Sequence, residues 1–389
     1  MLQLPVYMDS HATTPCDSRV IEAMMPYFGQ FYGNASSKSH QFGWQAGEAV
    51  QIAREELATL LGADPSEIIF TSGATESVNL AIKGVYEMFS GKGKHIIAVS
   101  TEHRAVLDTC NHLEKQGAEI SYLQVQSDGL IDVSLLKSII RPNTILITVM
   151  FANNETGVIQ PIKEIGQLCK DRNILFFTDA TQALGKIPLN VVEDGIDLLA
   201  CSAHKIYGPK GVGALYIRRK NPRVRLFAQL DGGGQERGFR SGTLNVPGIV
   251  GFGKAAKLAV SEMDSYMKSV GSLRNRLEAA LTQLEGAIVN GNRQHRLSTV
   301  CNISFLKGKG NQILESLLKD VAVSSGSACN SASPEPSHVL KAMGLSDEVA
   351  HHAIRFSLGK YNTEEEIDFV IEKAKRALEG IRETEKLVS

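Results

Sequence analysis

From Ile68 onward, short apolar runs alternate with segments whose apolar residues recur at helical spacing. IIFT, HIIAVS, EISYLQV, TILITVM, ILFFTDA, LLACSAH and GALYIR read as strands. Before them, His40 to Leu61 carries Ala46, Ala49, Val50, Ala53, Leu57, Leu60 and Leu61 on one helical face. Further helices are expected from about Ala74 and over Pro161–Asp171, the latter with proline near its first turn. Alternation of this kind predicts a mainly parallel sheet with helices on both faces. After Val246 a long helical pattern runs to about Leu284 and connects to a second region. There, strands are expected around VCNISF and VAVSSG, and helices around Gln312–Lys319, His351–Leu358 and Glu364–Leu378.

At 389 residues two domains are the natural expectation. We expect a large domain over 14–260, and a smaller one built from 1–13 and 261–389. The chain is 43% hydrophobic and 21% charged, as in a well-packed globular protein. Its net charge of −1 argues against a large nucleic-acid footprint. The start, MLQLPVYMDSHATTP, lacks a basic n-region, so no secretory signal is expected. No apolar run reaches about 18 residues, so neither a spanning helix nor a membrane partner is expected. Six cysteines, irregularly spaced and without a CxxC pair, suit a reducing, cytoplasmic compartment better than a disulfide or zinc framework. A processed organellar form would look the same.

Candidate chemistry sits just after the strands, where an open α/β sheet places its ligands. Glu102-His103, Asn153-Asn154-Glu155 and Asp179 with Gln182 are the polar clusters. Lys205 follows the buried-looking run Leu198–Cys201 and precedes a Gly/Pro loop. Taken alone it reads as a solvated surface charge; at the edge of a sheet it would instead be desolvated and made nucleophilic. Asp179 changes the balance. A lysine that forms a Schiff base and an acid that keeps a pyridine nitrogen protonated are the two groups pyridoxal phosphate (PLP) needs. The turn Thr71–Gly73 before the helix at Ala74, with the Thr75 hydroxyl, offers a phosphate site or a simple capped junction.

Cys329 is the exceptional thiol. Its neighbours in VAVSSGSACNSASPEPSHVL cannot bury themselves, which predicts a mobile loop over about 324–336 and an available nucleophile. Cys110, Cys169, Cys201 and Cys301 lie in apolar patterns and are expected to be buried. Arg355 suits a bidentate carboxylate contact, with a structural ion pair as the equal alternative. The glycine-rich stretch Leu230–Pro247 does not satisfy GxGxxG and reads as a ligand-lining loop.

With these residues in view, the chain resembles the cysteine desulfurases of the aminotransferase class V family, in the IscS/NifS-like group. The motifs carrying the resemblance are DSHATTP, TSGATESVN, TEHRAVL, NNETGVIQPI, TDATQALGK, CSAHKIYGPKGVG, RSGTLN and SSGSACNSAS, spread over nearly the whole length. The resemblance implies a fold type I PLP-dependent transferase, with a mainly parallel seven-stranded sheet in the large domain and a smaller α+β domain. It implies that Lys205 carries PLP and shuttles the substrate proton. Asp179 would pair with the pyridinium, Gln182 with the ring 3-hydroxyl, and His103 would stack on the ring. Ala74, Thr75, Ser202 and His204 would hold the phosphate, and Thr243 would reach the phosphate of the other subunit of a homodimer. Asn154 and Arg355 would bind the carboxylate of L-cysteine, and Cys329 would take its sulfur as a persulfide.

Implied acceptors are an iron–sulfur scaffold protein of the IscU type and proteins of tRNA or cofactor thiolation. IscS-type members typically carry a further C-terminal segment that helps engage the scaffold, whereas this sequence ends at IRETEKLVS. Competing readings are a selenocysteine lyase or an aminotransferase of the same family, and a non-catalytic adaptor. The adaptor should have lost Lys205 or Cys329, and both are present.

Overall fold

The computed structural model describes residues 2–306, 309–325 and 335–388. An N-terminal strand β1 (Val6–Tyr7) leads to helices α1 (Ser18–Met24), α2 (Pro26–Gly29) and α3 (Gln41–Leu61). The α3 helix starts where His40 accepts from the Gly43 N–H and stops at Gly62, whose φ of 66° is left-handed and suits glycine. Seven strands then form the large sheet: β2 (Ile68–Thr71), β3 (His95–Val99), β4 (Glu119–Leu123), β5 (Thr144–Thr148), β6 (Leu175–Asp179), β7 (Leu198–Ser202) and β8 (Gly213–Ile217). Their order is β2-β8-β7-β6-β5-β3-β4, and only β8 runs against the rest.

The connecting helices α4 (Ala74–Phe89), α5 (Arg104–Glu114), α6 (Val133–Ile139) and α7 (Ile162–Arg172) cover the sheet. Strands β6, β7 and β8 are buried at nearly every residue, because helices lie on both faces. Two apolar clusters result. One joins α3 and α7 to residues such as Phe70, Phe176 and Tyr216, and the other joins α4 and α5 to Ile69, Phe177 and Leu215.

Helix α8 (Val246–Leu281) runs 36 residues, about 54 Å at 1.5 Å per residue. Its first half packs into the large sheet's core through Phe252, Ala255 and Ala256. Its second half, through Val270, Leu273 and Leu277, belongs to a separate core. That core lies under a four-stranded antiparallel sheet of β9 (Ala287–Val289), β10 (Val300–Phe305), β12 (Ser324–Ser325) and β13 (Ala353–Ser357), ordered β12-β13-β10-β9. The short strand β11 (Val321–Ala322) pairs with β1, which ties the N-terminus to this second region. Helices α9 (Lys309–Leu317), α10 (His338–Ala342), α11 (Asp347–His351) and α12 (Glu364–Val388) complete the chain.

One expected helix is a strand. His351–Leu358 reads as helical by spacing, yet Ala353–Ser357 is β13, buried at all five residues and paired on both sides. A five-residue stretch such as AIRFS is too short to show a period of its own, and its environment decides.

On edge strand β2 the Phe70 N–H points out of the sheet and is received by the Glu236 carboxylate at 2.8 Å. Glu236 also takes both terminal nitrogens of Arg54 at 2.8 Å, and Arg54 caps the Ile68 carbonyl. This buried pair fastens the glycine-rich loop to α3 and the sheet edge. Glu236→Ala leaves a buried, uncompensated guanidinium and is expected to cost about 3–5 kcal/mol. Urea unfolding measures it, and an unchanged midpoint would show the pair to be dispensable.

Candidate active site

Parallel strands deliver their C-terminal ends to one crevice, and the polar clusters of the sequence follow those ends. Around it lies a cavity of about 650 Å³, lined among others by Thr75, His103, Asn154, Asp179, Gln182 and Lys205. Ala74, Ser202 and His204 also line it. Nine of the twelve residues singled out above therefore meet in one place. Thr243 is exposed and not part of the cavity wall, Arg355 stands just behind it, and Cys329 lies outside the described residues.

Lys205 is placed by a short 3-10 turn, Ala203–Lys205, at the end of β7. Its Nζ donates to the carbonyls of His11 and, at 2.7 Å, Ala12. Asp179, the last residue of β6, is 5% exposed, and its Oδ1 accepts from the Thr181 N–H at 2.9 Å. His103 caps α5, with Nδ1 accepting from the Ala105 N–H at 3.1 Å. In the neutral ring this places the proton on Nε2.

Helix α4 opens into the cavity at Ala74 and Thr75, and its first-turn N–H groups have no intrahelical acceptor. The Thr71 hydroxyl, 3.0 Å from the Gly73 carbonyl and 2.8 Å from the Ser77 hydroxyl, sets the turn. Strand β8 must pass close beneath. A Cβ on Gly213 would fall 2.6 Å from the Gly73 backbone, so this position admits only glycine. His204, beside this turn, is held neutral: burial first, then Lys205 and Lys210, push its imidazolium down to about 4.

Behind the wall, Arg355 on β13 donates to Asp9 at 2.8 Å, to the Ser324 hydroxyl and to the Asn154 carbonyl at 3.1 Å. The structural ion pair is thus present, but the buried Nε has no partner among the described residues. Asn154 is held from two sides, because His11 also donates Nδ1–H to its carbonyl at 3.0 Å and accepts at Nε2 from Thr299. Next to it, burial pushes the Glu155 carboxyl up to about 7, against the Ser337 hydroxyl donating at 2.5 Å and the field of Arg355.

Sequence reasoning passed over His11 and Lys186. The His11 carbonyl accepts from both Gln182 and Lys205, although almost two hundred residues separate His11 from Lys205. No local pattern signals that. Lys186 does carry a signal, its spacing of four from Gln182, and its Nζ donates to Gln182 Oε1 at 2.8 Å. Burial keeps Cys110, Cys169, Cys201 and Cys301 at zero exposure and raises each thiol's pKa.

Comparison with known proteins identifies the family. The aminotransferase class V family matches residues 6–370. The chain is 55% identical over 387 residues to a protein of Anaeromyxobacter dehalogenans (strain 2CP-C) named cysteine desulfurase IscS, covering 99% of this chain and 95% of that one. Among solved structures it is similar to a NifS-like protein, with TM-score 0.90, 40% identity and coverage of 97% and 100% of the two chains. It is also similar to SspA in complex with cysteine, with TM-score 0.82, 38% identity and coverage of 92% and 100%.

Proposed function

The chain belongs to the aminotransferase class V family, and we propose that it is a PLP-dependent cysteine desulfurase whose sulfur leaves by way of Cys329. The net reaction balances as L-cysteine plus the Cys329 thiol giving L-alanine plus a Cys329 persulfide. The observation that carries the reading is the meeting of Lys205, Asp179, Gln182, His103 and Asn154 around one cavity that also holds a free helix N-terminus.

The residues present fit PLP. Asp179 is a buried carboxylate facing the cavity, suited to a protonated ring nitrogen. The N–H groups of Ala74 and Thr75 with the Thr75, Ser202 and His204 side chains suit a phosphate, and the close approach at Gly213 keeps that turn tight. When bound, PLP supplies an electron sink conjugated to the substrate α-carbon.

The protein's own groups do the rest. Lys205 would hold the cofactor through its Nζ, and the same amine would move the substrate α-proton. His103, which lines the same cavity with its Nε2 clear of the capping bond, would serve as a stacking and acid–base group. Asn154 and Arg355 orient the substrate carboxylate, Arg355 through the capacity its Nε retains. Cys329 Sγ attacks the substrate sulfur as a thiolate and ends as the persulfide.

The chain works as a homodimer in this reading. Met25, Phe28, Tyr32, Phe42 and Trp44 are all exposed around α2 and the start of α3, with Tyr32 and Phe42 in ring contact at 5.4 Å. An aromatic patch of that kind suits burial by a second copy. The exposed Thr243 is then free to reach the neighbouring phosphate site. By resemblance, onward acceptors are an iron–sulfur scaffold of the IscU type and proteins of tRNA or cofactor thiolation. No helix among the described residues is long and apolar enough to cross a membrane. A reducing, cytoplasmic setting fits the free thiols of Cys16, Cys110, Cys169, Cys201 and Cys301.

L-Cysteine added to the PLP-loaded enzyme with a thiol reductant is expected to give alanine and sulfide in equal amounts. Pyruvate and ammonia in place of alanine would overturn the desulfurase reading. Sedimentation of the same preparation reads the dimer, and a single 42.2 kDa species would remove the role given to Thr243.

A further inference from the structure

Lys186 is buried at 2% exposure, and the reaction as described makes no use of it. It does not line the site cavity. Instead it borders a smaller void of about 30 Å³, shared with Lys205, Tyr207 and Tyr266. Among the described residues no carboxylate pairs with it, and its Nζ donates to the amide oxygen of Gln182. A buried cation without a counter-ion is costly, so its position calls for a compensating group.

The contact decides how Gln182 faces. With Oε1 turned to Lys186, the Gln182 –NH2 points the other way and donates one hydrogen to the His11 carbonyl at 2.9 Å. A second hydrogen remains, and Gln182 is in the cavity wall. The flipped amide would set N–H groups against an ammonium and an amide oxygen against a carbonyl, two repulsions at once. Lys186 therefore makes Gln182 a donor, and a donor backed by a cation is built for an oxyanion.

The surroundings leave that charge unmatched. Burial first, and then the like charges of Lys205 and Arg355, push the Lys186 ammonium down to about 7, a shift that an anion held beside Gln182 would reverse. His11 is kept neutral by burial and by these same cations. Around the smaller void, Glu262 is taken by Arg19, Lys360 by Asp17, and Tyr207 bonds Tyr266 at 3.4 Å.

We propose that Lys186 is a positioning residue: it locks Gln182 as a hydrogen-bond donor toward the 3-oxygen of bound PLP and, as a buried cation, favours the anionic form of that oxygen. The proposal rests on the PLP reading above, and the test separates the two. The pH titration of visible absorbance is followed for the PLP-loaded parent and for Lys186→Met and Lys186→Arg. Removing the cation makes the anionic chromophore less stable, so the midpoint in Lys186→Met is expected to rise by about one pH unit. Lys186→Arg, which keeps a donor and a charge, is expected to stay with the parent.

A Lys186→Met titration that overlays the parent's would overturn the proposal while leaving the PLP reading intact. A parent chain that shows no visible band with added PLP would overturn the PLP reading itself, and this proposal with it. Because the ligand-free chain gains nothing from an uncompensated buried charge, Lys186→Met is expected to melt no lower than the parent without PLP. An unfolded Lys186→Met chain would also overturn the proposal, since it would make the ammonium a structural brace.

Discussion

Exchange of Lys205 for alanine is expected to lower alanine formation from L-cysteine by at least about 1000-fold, through loss of both the covalent anchor and the proton carrier. The neighbourhood offers no substitute. Lys186 is nearby but stands outside the cavity wall, committed to Gln182. Lys210 does line the cavity, but it is exposed and sits in the Gly/Pro loop beyond the turn that places Lys205. The measurement is alanine produced per enzyme, together with the visible absorbance of the purified protein. Turnover within tenfold of the parent would remove Lys205 from the mechanism.

Cys329→Ala is expected to reduce alanine and sulfide together by at least about 100-fold while leaving the substrate-dependent change in absorbance in place. The step lost is acceptance of sulfur, which follows binding, so binding and chemistry should separate cleanly. The other thiols cannot step in. Cys110 and Cys301 have zero exposure, and burial pushes both thiols up to about 12, away from the thiolate that an attack needs. Cys169 and Cys201 are equally buried and shifted the same way. Cys16 is half-buried, its thiol also raised, first by burial and then by Asp17. Alanine formed at the parental rate by Cys329→Ala would sink the persulfide route.

Legibility tracked the range of the interaction. Asp179, Asn154 and His103 could be read directly, because each lies at or just after the end of a short apolar run that forms a strand. Lys205 needed only one further inference, that its run is the end of β7. The misread segment at Ala353–Ser357 is different. Five apolar-rich residues fit either period, and it becomes a strand because β10 and β12 offer hydrogen bonds on both sides.

The alternation of runs, the chemistry after each strand and the burial of four thiols were all decided locally, by residue type and spacing. What folding alone decided is which distant groups share a partner. Asp9 takes up Arg355, the His11 carbonyl receives Gln182 and Lys205, and Asn154 is held by His11 and Arg355 together. Those contacts join the N-terminal segment and β13 to the ends of the large sheet's strands. They depend on the relative placement of two cores bridged by α8, a property of no single stretch of chain. Hydrogen bonds and ion pairs act over a few ångströms, so their choice of partner waits until packing has brought the segments together.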